Sequence, residues 1–173
     1  MIRLDRVFHM NETGKYLEKI LWSIAFPGLG QLLNGKLFKG AIFIFLEFII
    51  NTRSNLNEII ILSFQGNTLQ AVESTNYKWL MFYPCVYVYA IWDAYKDSGG
   101  PQKPFAYIPY VLSSYLGTLG VVYSSVFRVK GVLLGPVWLG ILSIISGIFV
   151  GIIMQRLLMR YCNKRRPEPI GKK

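Results

Sequence analysis

Long uncharged stretches alternate with short basic ones along this chain, and their spacing predicts membrane-spanning helices. Residues 105–127 and 132–154 form two stretches of 23 residues without a charged side chain. About 20 apolar residues, rising 1.5 Å each, cross the roughly 30 Å of hydrocarbon in a bilayer. A soluble domain of this size can bury one such helix, but not three or four. The pattern therefore predicts an all-α integral membrane protein with about four transmembrane helices.

The first apolar region, residues 16–33, is interrupted, and this interruption predicts a helix that does not cross the membrane. It contains Pro27, which removes a backbone donor, and two glycines, which loosen a helix. We expect a short re-entrant or interfacial helix here. The next run, from Leu37 to Ile50, is also short, so its flanking Lys36 and Arg53 are expected to snorkel to the two interfaces.

These patterns divide the chain into segments with alternating locations. We expect residues 52–76 to form a short helix on the membrane surface or against the bundle, and the link from Arg128 to Gly131 to form a tight turn. The predicted segments are a cytoplasmic start (1–19), a broken helix and first span (20–51), an extracytoplasmic loop (52–76), a second span (77–96), a cytoplasmic loop (97–104), a helical hairpin (105–154) and a basic cytoplasmic tail (155–173).

The orientation follows from the lysines and arginines, which concentrate in short cytoplasmic loops. If the broken helix enters and leaves on the cytoplasmic side, 15 basic residues lie inside and 4 outside. If it crosses, the split becomes 11 against 8, which describes a five-span alternative. The first arrangement is preferred, and it places the protein in the cell membrane with both termini in the cytoplasm.

Composition supports a bilayer as the main partner. The chain is 53% hydrophobic and 16% charged, whereas a soluble domain carries charge on about a quarter of its positions. The net charge of +10 is spread between and after apolar segments, so nucleic acid is not an expected partner. Cys85 and Cys162 fit neither a disulfide framework nor a metal-ligand spacing and are interpreted as free thiols.

One short run resembles a known family. Residues 27–40 fit the pattern PGLGQ-x-x-NGK-x-x-KG of the bacterial two-transmembrane-domain family, and Trp92-Asp93 is similar to the Trp-Asp that closes its second helix. A similar run begins the first span of maltose-type sugar permeases. This chain departs from the family by some forty residues before the Trp-Asp and by an added C-terminal hairpin. The resemblance implies a local architecture with the N-terminus inside, and hardly any activity.

Four polar residues at apolar positions are candidate functional residues. Glu47 lies roughly 16 Å along its helix, where a carboxyl group is protonated, hydrogen-bonded to tyrosine or serine, or paired with another protein; the alternative is that it reaches the outer interface. Gln31 and Asn34 line a polar pocket or only cap backbone groups. Asp93 is a helix-end carboxylate held by water and Lys96, with ion passage as the alternative.

The last helix presents two further patterns. Ser143, Gly147 and Gly151 share one face, which permits close helix approach; packing within the chain is favoured over a dimer contact. The basic residues that follow suit anionic lipid head groups, or they only stop translocation. They are Arg156, Arg160, Lys164, Arg165 and Arg166.

The sequence contains few of the residues and motifs that are typical of catalytic sites. His9 is the only histidine, and the chain has no His-Glu-x-x-His sequence and no phosphate-binding glycine loop. We expect no cofactor, no catalytic residue and no enzymatic activity. The favoured function is an accessory or scaffold subunit of a membrane complex, bound to another membrane protein or to a second copy. The alternative is a small transporter or channel subunit with a pathway near the broken helix and Glu47.

Overall fold

The computed structural model describes residues 2–99 and 103–164, and side chains within 14–99 and 103–163. This part is mostly helical, which confirms the coarse form of the all-α prediction. The helices are α1 (Ile2–Ala25), α2 (Leu29–Leu33), α3 (Leu37–Ser54), α4 (Leu56–Phe64), α5 (Thr68–Ser74), α6 (Tyr77–Leu80), α7 (Tyr83–Asp97), α8 (Ile108–Tyr123) and α9 (Gly135–Lys164). Strands β1 (Arg128–Val129) and β2 (Val132–Leu133) form an antiparallel pair between α8 and α9.

The chain reverses direction where the sequence predicts a broken helix. Pro27 follows α1, and Gly28 takes a left-handed conformation with φ of 103°, which glycine adopts without a steric penalty. Helix α2 then runs back along α1, so that Gly30 lies against the Lys19 carbonyl and the Ser23 hydroxyl. The two helices form a hairpin, because Tyr16 of α1 and Asn34 after α2 both lie near the C-terminal end of α7. Residues 1–19 were assigned to a polar segment, but α1 is continuous from Ile2.

Helix α3 packs closely on this hairpin because glycines line the contact. A Cβ at Gly28 would lie 2.7 Å from both the Gly40 carbonyl oxygen and Ile44 Cγ1. A Cβ at Gly40 would collide with the Leu32 side chain. The glycines of the run thus serve close packing of α2 against α3, in addition to breaking the helix.

The longer helices alternate in direction. Helices α3 and α7 are antiparallel, because residues early in α3 contact the end of α7 and Glu47 contacts Tyr83 at its start. Helices α7 and α8 are also antiparallel, since the rings of Trp92 and Tyr110 lie 5.1 Å apart and Cys85 lies beside Thr118. One end of the bundle therefore contains the start of α3 and the end of α7.

The opposite end contains the most buried apolar cluster in the described part of the chain. In the predicted loop 52–76, α3 continues to Ser54, and the rest forms two short helices, α4 and α5, where the sequence interpretation expected one. Both helices pack against the bundle rather than lying apart from it. The Trp138 Nε1 of α9 donates to the Ser63 carbonyl at 3.1 Å. The cluster itself comprises Leu56, Ile59, Ala71, Leu80 and Val121.

The predicted count of about four spans is not supported by helix length. Among the described residues one helix, Gly135–Asn163, is long and apolar enough to cross a membrane. Helices α7 and α8 have 15 and 16 residues, which gives each only about 23 Å, and α3 contains three charged residues. Helix α9 extends ten residues beyond the predicted end of the hairpin at 154, into the segment assigned to the tail.

Candidate functional site

Gln31 is the centre of a buried polar cluster between α2 and α7. Its side chain is fully buried, with 0% exposure. The Nε2 amide donates to the Ala90 carbonyl at 2.7 Å and to Asp93 Oδ2 at 3.2 Å, and Oε1 accepts from Ser23 Oγ at 3.4 Å. A buried amide is costly unless its donors and acceptor are used. Gln31 therefore stabilises one arrangement of α1, α2 and α7.

Lys39 connects the start of α3 to two carboxylates of α7. Its Nζ lies 2.7 Å from Asp93 Oδ1 and 2.9 Å from Asp97 Oδ2. Asp93 and Asp97 lie four positions apart and so share one helix face. The ammonium group also lies at the C-terminal end of α7, where a cation is favourable to the helix dipole.

This geometry revises the expectation for Asp93. The sequence interpretation gave its carboxylate to water and Lys96, whereas the structure shows bonds from Lys39 and Gln31. The reason is the direction of the side chain, which is only 8% exposed and points toward α2 and α3. Its role is to hold the broken helix against α7.

Asn34 completes the contact at the end of α2. Its Nδ2 donates to the Ala94 carbonyl at 3.0 Å, which belongs to the last turn of α7, where carbonyls have no partner within the helix. Its Oδ1 has no partner among the described residues. Gln31 and Asn34 thus both donate to α7 carbonyls, and Gln31 also binds the side chains of Ser23 and Asp93.

We call this group the polar clasp. Its members are Ser23, Gln31, Asn34, Lys39, Asp93 and Asp97. It joins the two parts of the sequence that carry the family resemblance, the glycine-rich run and the Trp-Asp, which are far apart in the chain. Its formal charges sum to minus one, and its side-chain nitrogen donors bind the carboxylates of Asp93 and Asp97 and two backbone carbonyls of α7, so these contacts position the helices. Within the described residues, no group of acids, cysteines or histidines is arranged to hold a metal ion.

Glu47 lies apart from the clasp, two turns further along α3. The residue is 5% exposed, and its Oε1 accepts from the Tyr83 hydroxyl at 3.3 Å. Its Oε2 has no partner among the described residues. A hydrogen bond to tyrosine was one alternative from the sequence, and the structure shows that hydrogen bond, with the Glu47 side chain buried among the helices.

The small-residue face of α9 lies against α8. The Ser143 hydroxyl approaches Gly120, and a Cβ at Gly147 or Gly151 would collide with the α8 backbone at Ser113 or Pro109. The face predicted for helix packing is therefore occupied within the chain, and it is not open to a second copy.

The basic residues of the tail are described only in part. Arg156 and Arg160 are exposed on the last turns of α9. Lys164 ends that helix, but its side chain lies outside the described residues, as do Arg165 and Arg166. The structure therefore places the first two arginines at the same end of the bundle as the clasp.

Sequence reasoning did not foresee three members of the clasp. Lys39 was used for orientation and as part of the family pattern, Asp97 only as part of the turn after the second span, and Ser23 was not singled out. The available signal was the four-residue spacing of Asp93 and Asp97, which places two acids on one face if the helix continues one residue beyond the predicted end of the span at 96. Such a pair needs a cation from a neighbouring helix.

Comparisons with known proteins add no assignment. No protein-family model, no curated protein and no solved structure matches this chain. The resemblance to the two-transmembrane-domain family therefore stays a prediction that rests on the quoted residues alone.

Proposed function

We propose that this chain is a multi-pass protein of the cell membrane, with about four spans and both termini in the cytoplasm, and that it acts as a non-enzymatic accessory or scaffold subunit. The observation that carries the proposal is the distribution of polarity. Polar side chains in the bundle bind one another, while large apolar side chains cover its outside. Such a molecule offers surfaces to lipid and to other membrane helices, and no site for chemistry.

The exposed apolar side chains support a bilayer. On α3 the exposed fractions are 80% for Phe38, 63% for Phe45 and 70% for Phe48. In α9 only 22% of the most apolar 18-residue window is buried, unlike the core helix of a soluble protein. Meanwhile Ser54, Ser113 and other serines are fully buried. Soluble monomers rarely expose apolar patches on this scale.

The shorter helices are compatible with spanning when their flanks are included. Helices α6 and α7 together cover residues 77–97, which is about 31 Å of chain at helical rise. The apolar residues on both sides of α8 lengthen it in the same way, and local bilayer thinning accommodates the remaining mismatch. The charge of Lys39 is neutralised by the clasp close to the cytoplasmic end of α3.

The same contacts favour a scaffold over a transporter. A conducting path needs polar groups that face an opening, whereas the clasp amides and carboxylates bind each other and the α7 backbone. Glu47 is covered by Tyr83. The sharpest alternative is ion or proton passage through Glu47, because one of its oxygens is left without a partner.

Co-purification and flux separate these two functions. We expect the tagged chain, extracted from native membranes in mild detergent, to retain a membrane protein in a fixed ratio. We also expect purified chain in liposomes to give no ion or proton flux above that of empty liposomes. Flux that the parent shows and Glu47→Gln abolishes would overturn the scaffold function and support transport.

Cysteine labelling tests the topology, which rests on the 15-to-4 division of basic residues. In a background with both native cysteines replaced, cysteines on the cytoplasmic side should resist a membrane-impermeant thiol reagent in intact cells, and those outside should react. Labelling at residue 15 together with protection at residue 36 would establish five spans instead. The protected positions are Lys15, Lys36, Lys103 and Lys172, and the reactive ones are Asn67 and Lys130.

A further inference from the structure

A cleft separates α1 from α9 over the cytoplasmic half of the bundle. It has a volume of about 560 Å³, and its floor is formed by α7 and α8. Tyr16 and Ile20 of α1 form one wall, and Ile148 and Ile152 of α9 form the other. We call it the α1–α9 cleft. Its size lies within the range of small-molecule sites, and its lining is mostly apolar.

Polarity changes along the cleft. Its mouth, at the clasp end of the bundle, is formed by Tyr16, Tyr95, Lys103 and Gln155, while isoleucines line the deeper part. Among the described residues that line the cleft, Lys103 is the only cation, and its side chain is exposed. The Gln155 Nε2 amide donates to the Pro104 carbonyl. No carboxylate lines the cleft in the part of the chain whose side chains are described.

The cleft continues toward the opposite end because α1 turns back. A second cavity of about 300 Å³ shares Ile24, Tyr87 and Ile144 with the first and reaches Pro136. From Gln155 to Pro136 the distance along α9 is about 28 Å, close to the thickness of bilayer hydrocarbon. An apolar slot therefore runs along α9 with one basic end, which is the shape and charge pattern of a lipid site.

We propose that the α1–α9 cleft holds one anionic phospholipid, with its phosphate at Lys103 and an acyl chain along Ile152, Ile148 and Ile144. The proposal rests on the membrane placement proposed above and is independent of the scaffold role. A charged phosphate matches the cation at the mouth, and an acyl chain would fill the apolar space between α1 and α9 and make dispersion contacts with both walls. The site is separate from the exposed arginines of α9, which face the head-group region without a cleft.

The head-group part of the site is tested by native mass spectrometry. The purified full chain in detergent is titrated with phosphatidylglycerol, phosphatidylcholine or inorganic phosphate. We expect one tightly retained phosphatidylglycerol, and roughly tenfold weaker binding for Lys103→Gln, the ratio that one lost charge-assisted contact gives. Lys130→Gln, at the opposite end, should bind as the parent does. Equal retention of both lipids, or displacement by inorganic phosphate, would overturn the assignment.

The chain part of the site is tested with neighbouring residues of α9. Ile152 lines the cleft, whereas Ile153 is 44% exposed on the outer surface. Ile152→Trp should fill the slot and abolish the single retained lipid, and Ile153→Trp should not. If both variants retain lipid, the cleft is not the site. The cysteine-labelling experiment described above distinguishes this result from an error in the proposed membrane placement. A wrong membrane placement would change the labelling pattern, whereas a wrong lipid site would leave it unchanged.

Discussion

Replacing Gly147 by alanine is expected to lower the thermal unfolding temperature in detergent, whereas the same change at Gly140 should raise it or leave it unchanged. A Cβ at Gly147 collides with Ser113 Cα and lies 2.7 Å from the Leu112 carbonyl oxygen. These are backbone atoms of α8, so the helices must separate, at a cost of about 1–3 kcal/mol. Tryptophan fluorescence during heating measures the difference.

Gly140 is a matched control because it lies in the same helix with space beside it. A Cβ there meets only Val121 Cγ2, at an ordinary 3.5 Å, and alanine is the better helix former by up to about 1 kcal/mol. Gly147→Leu should be worse than Gly147→Ala, and Ile148→Leu should behave like the parent. Equal shifts for the two alanine variants would mean that α9 does not pack on α8 through this face.

The packing face was predictable because helical periodicity places residues four apart on one side. The sequence could indicate that Ser143, Gly147 and Gly151 face something, but the partner depends on which helix is adjacent. A two-strand turn, with Lys130 and Gly131 both at positive φ, reverses the chain and brings α8 alongside. A tight connection was expected there, and its type determines the register.

Helix limits were harder to predict than helix positions. The uncharged stretch 105–127 suggested one span of full length, yet α8 covers Ile108–Tyr123. Pro109 sits in its first turn, where it fits a helix start. An uncharged stretch shows which residues are compatible with hydrocarbon. The ends of a helix depend instead on local backbone chemistry, so the ends of α8 differ from the ends of the uncharged stretch.

The clasp could not be assembled from the sequence, because its halves are more than fifty residues apart. Gln31 and Asn34 were recognised as polar groups that need partners, and Asp93 as an acid near a helix end. Their meeting depends on the reversal at Gly28 and on the glycine contacts that bring α2 to α7. The ion pairs of Lys39 depend on how α3 lies against α7, and the sequence does not show that arrangement. From the sequence alone, Lys39 cannot be distinguished from the other basic residues.

Replacing Asp93 of the polar clasp by asparagine is expected to destabilise the packing of the broken helix against α7, and this is the second large effect that we expect. The carboxylate accepts from Lys39 on one oxygen and from Gln31 on the other. An asparagine has a single acceptor oxygen, so one donor is left facing the amide nitrogen. Loss of a buried hydrogen bond to a charged group costs about 2 kcal/mol. We expect a lower unfolding temperature and faster proteolysis within α1 and α2.

Asp97→Asn is the matched control, because Asp97 makes only the outer of the two ion pairs. Its side chain is 19% exposed, and the Lys39 ammonium is 44% exposed, so water replaces part of the lost interaction. The cost should stay below about 1 kcal/mol, as for other solvated pairs. In the Asp93→Asn background, Lys39→Met should cost less than in the parent, since its buried acceptor is already gone. Equal effects of the two asparagine variants, or additivity with Lys39→Met, would show that the clasp does not hold the hairpin to α7.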